Sequence, residues 1–479
     1  MQTQDLPQAE QPPAVGRLSW RAMSRALRGD ALAAFPEEAF EQPVVVQRFL
    51  GRQHVLLQSP DAIRHVLVEN ADNYTRMVAV RRVLRPMFGR GLFLSSGDAW
   101  RQQRRAVAPA FAPRGVHMLA SRVVAAAEDL ADELEAAGTD LVDLLPRLQQ
   151  LALAIIGGAI FSLDMPRYGQ ELRSLIVDYA LRLSRPSLAD YLLPLAVPAP
   201  SDIARARFRR HWRRVISHIV MERTARPRGA APSDLFDVLA AGDPEAGAGP
   251  DPETLGDQIA TIIVAGHETT AAALFWALYL LARHPEVQGR VAAEIAEHGL
   301  TAGNAAAVLP HLTYTRAVID EVLRLFPPAY VVVRQAVAHD VAGGVPLARG
   351  AVVLIAPWVL HRHRRLWPEP ERFDPTRFMP GAPQPPRFAY MPFGSGPRTC
   401  VGAPFALTEL VLVAGILVSA FDIGLASQVP VMPVGRVTLQ PNAAPGFVLM
   451  PRAQRDRRIA ERSRRYRQVA RRVPGDVSA

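Results

Sequence analysis

The sequence has a single cysteine, Cys400, and no lysine among its 479 residues. One thiol excludes an intramolecular disulfide, a CxxC redox pair and any zinc or iron–sulfur site that needs several cysteines. The absence of lysine excludes Schiff-base chemistry and a phosphate-binding loop of the lysine-dependent type. All 55 basic residues are therefore arginines.

Charge is unevenly distributed along the chain. The formal charge is +10, but residues 452–479 alone contain ten arginines and only three acidic residues. Because the remaining body is close to neutral, we expect no nucleic acid as a partner. We interpret residues 452–479 as an arginine-rich tail, residues 1–40 as a loosely attached N-terminal arm without an export signal, and residues 41–451 as a single domain.

Hydrophobic periodicity predicts a mainly α-helical fold with a small β portion. The longest predicted helix, residues 253–284, is apolar enough to raise the question of a membrane span. His267 and Glu268 interrupt its centre, and such groups are costly at mid-depth in a bilayer, so we interpret it as a buried helix and expect no transmembrane anchor. Other predicted elements are helices at 313–326 and 405–421, a hairpin at 44–49 and 54–57, and strands at 330–333, 352–355, 437–440 and 446–450.

Cys400 lies in a segment rich in glycine and proline that runs from Pro392 to Gly402. This composition predicts a rigid loop whose backbone passes close to something flat or bulky. Near the N-terminus of the following helix and beside Arg398, the thiol is expected to have a lowered pKa and to be a good metal ligand. The alternative is a buried structural cysteine, the usual role of a lone thiol.

Two predicted helices carry polar residues that could serve chemistry or packing. Glu321 and Arg324 are three positions apart and can form an ion pair, although a solvated surface pair has the same spacing. In the central helix, Gly266 permits the close approach of another group and a kink or bulge. Glu268 and Thr269 follow it, where they could pass protons inward or belong to a packing notch.

Together and in this order, these segments resemble the cytochrome P450 family of haem-thiolate monooxygenases. The family pattern FxxGxRxCxG is matched by Phe393, Gly396, Arg398, Cys400 and Gly402. The patterns AGxET and ExxR are matched by Ala265, Gly266, Glu268 and Thr269, and by Glu321 and Arg324. The resemblance covers residues 41–451, which it implies are one catalytic domain.

Two further motifs complete the resemblance. Trp100 and Arg104 are similar to the family's WxxxR, and residues 373–378 are similar to FxPxRF, with Thr376 where glutamate is commoner. The letters PERF at residues 370–373 are a decoy, because they precede the FxPxRF context. We therefore assign Arg377, and not Arg372, to the network of Glu321 and Arg324.

The resemblance implies a soluble bacterial enzyme in which a long central helix lies over haem b. Cys400 is then the axial ligand of the haem iron, and Phe393 packs near its sulfur. The other residues implied to hold or line the haem are Arg398, Arg104, Trp100, Arg334, Ala265 and Gly402, with Arg76 as a further candidate.

Thr269 and Glu268 are the implied catalytic residues, because oxygen activation consumes two protons and a carboxyl beside a hydroxyl can supply them. Phe93 and Leu94 are implied to line an apolar pocket that admits a hydrophobic small-molecule substrate and excludes water.

Electrons must come from another protein, since one cysteine cannot hold an iron–sulfur cluster and no GxGxxG unit follows a strand. A ferredoxin or flavodoxin with its reductase is implied, so NAD(P)H acts only indirectly, and we expect a cytoplasmic monomer. Such acidic carriers could dock on a basic face, although each of its arginines could equally be an ordinary solvated residue. The candidates are Arg104, Arg105, Arg362, Arg364 and Arg365.

Two other functions stay open at this point. A peroxygenase would use H2O2 as the oxidant, but family members of that kind usually lack an acid–alcohol pair such as Glu268 and Thr269. A haem-binding sensor or carrier would have no need of proton-delivering residues.

Overall fold

The structure is a computed structural model that describes residues 14–15, 30–138, 141–163, 165–226, 234–242, 249–427 and 429–452. Helices make up most of the described chain. They are α1 (Pro60–Arg64), α2 (Val78–Phe88), α3 (Gly97–Val107), α4 (Pro113–Ala137), α5 (Leu144–Ala154), α6 (Met165–Asp178), α7 (Leu188–Leu192), α8 (Ser201–Ala225), α9 (Leu235–Ala241), α10 (Pro252–Arg283), α11 (Pro285–His298), α12 (Ala305–Val308), α13 (Thr313–Leu325), α14 (Pro357–Leu360) and α15 (Ala403–Ala420).

The strands form one larger sheet and three small ribbons. The strands are β1 (Ala14–Val15), β2 (Val44–Phe49), β3 (Arg52–Leu57), β4 (Tyr74–Thr75), β5 (Val332–Ala336), β6 (Asp340–Ala342), β7 (Val345–Leu347), β8 (Val352–Ile355), β9 (Phe421–Leu425), β10 (Pro433–Gly435), β11 (Leu439–Pro441) and β12 (Phe447–Pro451). The sheet has the order β1-β2-β3-β8-β5-β4, and the ribbons pair β6 with β7, β9 with β12 and β10 with β11. The predicted hairpin is β2–β3, with Val44 opposite Leu57.

Helix α10 is the central element of the core. Asp251 caps its start by accepting a hydrogen bond from the backbone N–H of Thr254 at 2.9 Å, and Pro252 occupies the first helical position. The helix packs against α5, α8 and α15. Both α10 and α15 are long and apolar enough to cross a membrane, but 83% and 67% of their most apolar windows are buried inside the protein.

The expectation of a mainly helical fold with a small β portion is confirmed. The bulge that Gly266 permits is not formed, because α10 is assigned as α-helix along its whole length. A Cβ atom at Gly266 would lie 2.1 Å from Cδ1 of Ile156. The glycine therefore lets a side chain of the neighbouring helical segment approach the backbone, and the hydrogen-bond ladder of α10 is preserved.

Part of the predicted N-terminal arm packs against the domain. Ala39 is fully buried, and Arg364 forms ion pairs with Glu37 and Glu41. The segment 30–40 is thus continuous with the body rather than loosely attached. The arginine-rich tail beyond Arg452 and most of the first 29 residues lie outside the described residues.

A short loop between α2 and α3 is clamped onto α10. The backbone N–H of Arg90 donates to Oδ2 of Asp257 at 2.7 Å, and that of Leu92 donates to Oε1 of Gln258 at 3.1 Å. At Gly91, a Cβ atom would lie 2.1 Å from Oγ1 of Thr261 and 2.5 Å from the carbonyl oxygen of Asp257. Only glycine fits here, because the helix backbone cannot move aside.

We expect Gly91→Ala to lower the free energy of unfolding by about 1–3 kcal/mol, since the new methyl group must push the loop off α10. Gly289→Ala is the matched control. Gly289 lies inside α11, and no atom of another element lies within 4 Å of the position that a Cβ atom would take, so alanine should stabilise the helix by roughly 0.5–1 kcal/mol. Thermal unfolding measures both, and equal melting temperatures for the two variants would contradict the close approach.

Candidate active site

The loop that carries Cys400 is shaped by two glycines. Gly394 and Gly396 have φ values of 73° and 74°, and a Cβ atom at Gly396 would lie 2.1 Å from the carbonyl oxygen of Leu67. The N–H of Cys400 donates to the carbonyl oxygen of Phe393 at 2.9 Å. These constraints fix the position of the cysteine immediately before α15, as the glycine-rich composition predicted.

Cys400 is an exposed residue, although the protein atoms packed around its sulfur desolvate the thiol. Burial raises its pKa, and the N–H groups of Gly402 and Ala403 and the charge of Arg104 oppose that shift only in part. The expectation of a lowered pKa is therefore wrong for the protein alone, because desolvation outweighs the helix start. The cation that acts on the sulfur is Arg104, not Arg398. A bound metal cation would supply the charge that favours the thiolate.

Arg398 and two other arginines form a cluster without an ion-paired carboxylate. Burial and the charges of Arg334 and Arg398 lower the pKa of Arg76 to about 9, and burial and the charge of Arg398 lower the pKa of Arg334 to about 10. None of the three forms an ion pair within the part of the chain that the structure describes. Asp72 supplies one opposite charge to Arg398, and a further anion beside the three guanidinium groups would favour their charged forms.

This cluster tests whether the residues fit haem. A haem group carries two propionate carboxylates and needs one axial ligand. Arg76, Arg334 and Arg398 can neutralise two carboxylates, and Cys400 lies two residues from Arg398. No group of three or more His, Cys, Asp or Glu side chains within the described residues offers a competing metal site. The donor set thus fits haem, with one thiol for the iron and three guanidinium groups for the propionates.

Trp100 contacts Arg398 of this cluster, and Arg104 contacts the cysteine loop. The guanidinium of Arg398 stacks on the ring of Trp100 at 4.2 Å and donates to the carbonyl oxygen of Ser95 at 2.8 Å. Arg104 donates to the carbonyl oxygen of Thr399 at 2.6 Å. Trp100 therefore orients Arg398, while Arg104 holds the backbone next to the cysteine.

On α10, the open face consists of Ala265 and Thr269. Their neighbours Val264 and Thr270 are buried, whereas Ala265 is exposed and Thr269 is half-exposed. The Thr269 hydroxyl donates to the carbonyl oxygen of Ala265 at 2.5 Å. Its lone pairs remain available, so the hydroxyl can accept a proton or a hydrogen bond on the open side.

Glu268 points away from Thr269 and into the protein. Its Oε1 accepts a hydrogen bond from Nε2 of Gln440 at 3.3 Å, and Gln440 also donates to the hydroxyl of Thr438 at 2.6 Å. Burial raises the pKa of Glu268 to about 7, against smaller opposing effects of Thr438 and Arg436. The carboxyl group can therefore both release and take up a proton near neutral pH. Sequence reasoning missed Thr438 and Gln440, because nothing in a short strand 170 residues away points to Glu268.

Phe93 and Leu94 follow the clamped loop. Phe93 is exposed and stacks on Phe88 with ring centroids 5.0 Å apart, and the guanidinium of Arg76 lies 4.8 Å above its ring. Leu94 packs partly against the main core. The loop meets α10 about two turns before Ala265, as counted from Asp257 and Gln258. Phe93 thus lies between the arginine cluster and the loop that is clamped onto α10.

The Glu321–Arg324 pair is fully buried. Arg324 binds the carboxylate with two hydrogen bonds, Nε to Oε2 at 2.7 Å and Nη2 to Oε1 at 2.8 Å. It also donates to the carbonyl oxygens of His361, Pro370 and Arg372 at 2.6–3.0 Å. The alternative of a solvated surface pair is excluded by the burial of both side chains.

Arg377 and Arg372 have different positions. Nε of Arg377 lies 3.5 Å from Oε1 of Glu321, whereas the side chain of Arg372 is exposed and pairs with Glu369 at 3.0 Å. Arg372 contributes only its backbone carbonyl to the network. The side chain that reaches Glu321 is therefore the one in the FxPxRF context.

His361 is a member of this network that sequence reasoning missed. Its Nε2 accepts a hydrogen bond from the N–H of Met391 at 3.0 Å, so Nδ1 carries the proton and donates to the carbonyl oxygen of Arg324 at 3.2 Å. Burial and the charge of Arg324 lower the pKa of His361 to about 3. The neutral imidazole thereby joins α13 to the segment that leads to Cys400.

Glu409 is a second residue that was missed. It is fully buried in α15, near Thr270 of α10, and burial raises the pKa of its carboxyl well above its usual range. A glutamate inside the otherwise apolar run 405–421 was the signal that could have found it.

The predicted docking face is only partly present. Arg362 is buried, stacks on Trp358 at 3.7 Å and pairs with Glu371 at 3.2 Å, so its assignment to a surface is wrong. Arg364 is neutralised by Glu37 and Glu41. Arg105 and Arg365 are exposed. Sequence alone could not separate these arginines, because all of them lie in strongly basic stretches.

Comparison with known proteins places this geometry in context. A sequence model described as cytochrome P450 matches residues 8–444. Cyclooctatin synthase of Streptomyces melanosporofaciens is 35% identical over 382 residues, which cover 77% of this chain and 80% of the relative. Cyclooctat-9-en-7-ol 5-monooxygenase of the same organism is 33% identical over 346 residues, which cover 70% of this chain and 73% of the relative. The crystal structure of a cytochrome P450 (CYP102L1) has the same fold, with a TM-score of 0.79 at 23% identity over 93% of this chain and the whole of that chain.

We expect Glu321→Ala to lower the free energy of unfolding by about 3–5 kcal/mol, because it leaves the Arg324 charge buried without its partner. Urea denaturation and the yield of soluble protein measure the effect. Arg372→Ala is the control and should change stability by less than about 1 kcal/mol, since it removes a surface pair and keeps the carbonyl that Arg324 binds. Similar stabilities of the two variants would show that the buried pair does not hold this region together.

Proposed function

The chain belongs to the cytochrome P450 family of haem-thiolate monooxygenases, and from this premise we propose that it inserts one oxygen atom of O2 into a hydrophobic small molecule with electrons from a separate redox protein. The observation that supports this best is the lone thiol beside three arginines without ion-paired carboxylates. Haem can use a thiolate as the axial ligand of its iron and guanidinium groups as partners of its two propionates.

We assign haem b to this site, with Cys400 as the axial ligand and Arg76, Arg334 and Arg398 on the propionates. Thiolate-ligated haem supplies the activation of O2 and the transfer of an oxygen atom. Trp100 keeps Arg398 in place through the stacking contact at 4.2 Å. Arg104 fixes the carbonyl of Thr399 and moderates the pKa of the sulfur. Phe393 and Gly402 flank the cysteine and complete the loop around it.

Proton handling on the distal side is assigned to Thr269 and Glu268. The Thr269 hydroxyl faces the open side of α10; while its proton is donated to the Ala265 carbonyl, its oxygen lone pairs can accept a hydrogen bond and so orient a proton donor on that side. Glu268, with a pKa of about 7, can replace the proton from the interior. Gln440 holds its carboxyl in position. A small movement of the Glu268 side chain is needed, since it points toward Gln440 rather than Thr269.

The source of electrons is a ferredoxin or flavodoxin with its reductase, so NAD(P)H enters only through those proteins. Of the predicted docking arginines, Arg105 and Arg365 are exposed and Arg104 lies beside the cysteine loop. These three are the part of the predicted face that a carrier could use, and we retain them as its binding site. A monomer in the cytoplasm suits this exchange of partners.

The substrate is assigned to the class of apolar ring compounds. One relative is named for the oxygenation of cyclooctat-9-en-7-ol, an unsaturated alcohol. Phe93 offers an exposed aromatic surface and Ala265 a small one, and neither side chain carries a hydrogen-bonding group. Leu94 is a third apolar residue assigned to the substrate pocket.

Cys400→Ala should abolish the reduced carbon-monoxide spectrum of a thiolate-ligated haem, because no other thiol exists in the chain. Cys400→His should keep haem and lose turnover, since imidazole donates less electron density than a thiolate. Absorbance spectra and product analysis with a surrogate redox pair test both variants. A thiolate spectrum in Cys400→Ala would remove the central assignment, and full spectra without any turnover in the wild type would favour a haem carrier.

Product formed per NADPH should fall in the wild type as the pH rises through about 7, because the Glu268 carboxyl loses its proton there. Burial raises the pKa of the Glu268 carboxyl from 4.5 to about 7, so the native state binds more protons than the unfolded state between these values. The free energy of unfolding should therefore fall as the pH rises from 4.5 to 7. In Glu268→Gln the product formed per NADPH should be low and independent of pH between about 6 and 8.

Thr269→Ala should still oxidise NADPH but release more hydrogen peroxide.

The peroxygenase alternative gives the opposite pattern. Both variants would then keep most peroxide-driven activity, and the wild type would gain little from a redox partner. Unchanged coupling in Thr269→Ala would leave this threonine with a packing role.

A further inference from the structure

The ribbon of β10 and β11 brings one arginine next to α10. In this antiparallel pair Val434 lies opposite Gln440, so the two side chains share one face of the ribbon. Arg436 follows Val434 by two positions and continues that face, because side chains alternate along a strand. On the same face, Gln440 donates to Oε1 of Glu268 in α10 at 3.3 Å. Arg436 is therefore turned toward the part of α10 that carries Glu268.

The charge of Arg436 acts on Glu268 without forming an ion pair with it. Burial raises the pKa of the Glu268 carboxyl, and the positive charge of Arg436 is one of the smaller effects that oppose this shift. The side chain that binds the carboxyl group is Gln440. Among the described residues, no carboxylate lies within ion-pair distance of the Arg436 guanidinium. Arg436 is thus near Glu268, but its own hydrogen-bond donors are left for another group.

One of these donors is buried. Nε of Arg436 is enclosed by protein atoms, and no acceptor in the described part of the chain takes its proton. The side chain as a whole is half-buried, so it also has a part that a small molecule can reach. Buried donors in folded proteins almost always have an acceptor, and one that lacks it needs an explanation. An acceptor group on a ligand would provide it.

The backbone that carries Arg436 is held in place. Its N–H donates to the carbonyl oxygen of Thr438 at 3.0 Å, and its carbonyl oxygen accepts a hydrogen bond from the Tyr330 hydroxyl at 2.5 Å. The preceding N–H, that of Gly435, donates to Oδ1 of Asp30 at 3.2 Å. A side chain on such a fixed turn is already positioned, and it loses less conformational freedom when it binds a ligand.

Arg436 borders the open face of α10 and is separate from the arginine cluster of the haem site. Ala265 precedes Glu268 by one helical turn and is exposed. Arg436 is not among the charges that lower the pKa values of Arg76 and Arg334. The residues assigned to the haem propionates therefore do not include Arg436, which lies instead beside the space above Ala265 that we assigned to the substrate.

We propose that Arg436 binds a carboxylate of the substrate, so that the enzyme acts on an apolar carboxylic acid whose hydrocarbon body lies over Ala265. A guanidinium group binds a carboxylate with two parallel hydrogen bonds, which would give the buried Nε an acceptor. A single guanidinium matches a singly charged carboxylate better than a doubly charged phosphate. This inference rests on the proposed function, and it adds one acidic group to the apolar substrate and one specificity-determining residue to the pocket.

The test measures the binding of matched acids and alcohols to the full-length ferric haem protein near neutral pH. Dodecanoic acid and dodecan-1-ol are flexible probes that can adapt to a pocket, and adamantane-1-carboxylic acid and adamantan-1-ylmethanol are rigid ring probes. Equilibrium dialysis gives the Kd, and the shift of the ferric haem spectrum reports whether the probe lies beside the iron. We expect at least one acid to bind about tenfold or more tightly than its alcohol, because only the acid can form charge-assisted hydrogen bonds.

Three variants assign this preference to Arg436. Arg436→Gln should weaken the binding of that acid by about 10- to 100-fold and leave the binding of its alcohol within about twofold of the wild type. Arg436→Lys keeps the charge and loses the two-pronged geometry, so its affinity for the acid should lie between those of Arg436→Gln and the wild type. Arg290→Gln is the matched control. It removes the same charge from an exposed position of α11, where the guanidinium stacks on Tyr314 at 3.8 Å, and should bind the acid like the wild type.

Three outcomes would overturn the proposal. The first is that neither acid binds the wild type more tightly than its alcohol. The second is an unchanged affinity for the acid in Arg436→Gln, which would leave this arginine with an electrostatic effect on Glu268 only. The third is an equal loss in Arg290→Gln, which would assign the preference to overall charge. The reduced carbon-monoxide spectrum of each sample tests the proposed function separately, so a thiolate spectrum without a preference for acids would refute this inference alone.

Discussion

The buried ion pair of Glu321 and Arg324 organises the longest irregular part of the molecule. Between α14 and α15 the backbone–backbone hydrogen bonds are mostly short-range turns, which do not tie the segment to other elements. Arg324 binds three of its carbonyl oxygens, Glu321 binds the N–H of Asp374 at 2.9 Å, and His361 extends the network to Met391. A charge pair is costly to bury, and these additional hydrogen bonds offset that cost. The cysteine loop follows directly from Met391 and takes its position from this network.

The site around Cys400 differs electrostatically from the network of Glu321 and Arg324. At Glu321 every charge has a partner, whereas Arg76, Arg334 and Arg398 repel one another and burial raises the pKa of the Cys400 thiol. Each of these groups would be stabilised by a ligand that brings two carboxylates and a metal cation. The charges around Glu321 thus stabilise the fold, whereas the arginines near Cys400 are placed where a ligand with carboxylates could bind.

The apolar surroundings of the site depend on side chains that bind backbone groups. Trp212 donates to the carbonyl oxygen of Met87 at 3.0 Å and Arg209 to that of Arg85 at 2.9 Å, so α8 satisfies the open end of α2. The next loop is clamped onto α10 through Asp257 and Gln258. Phe93 is therefore positioned by three elements, α2, α8 and α10, that are far apart in sequence.

The sequence alone determined the mainly helical fold, the central helix and the rigid cysteine loop, because periodicity and local composition carry that information. The motifs around Thr269, Glu321 and Cys400 were sufficient, by their order and spacing, to indicate the family. The FxPxRF context was sufficient to choose Arg377 over Arg372. Only the tertiary structure decided the direction of the Cys400 pKa, the burial of Arg362 and the partners of Glu268. Each of these depends on which distant segments enclose a group, and desolvation by such segments leaves no local pattern in the chain.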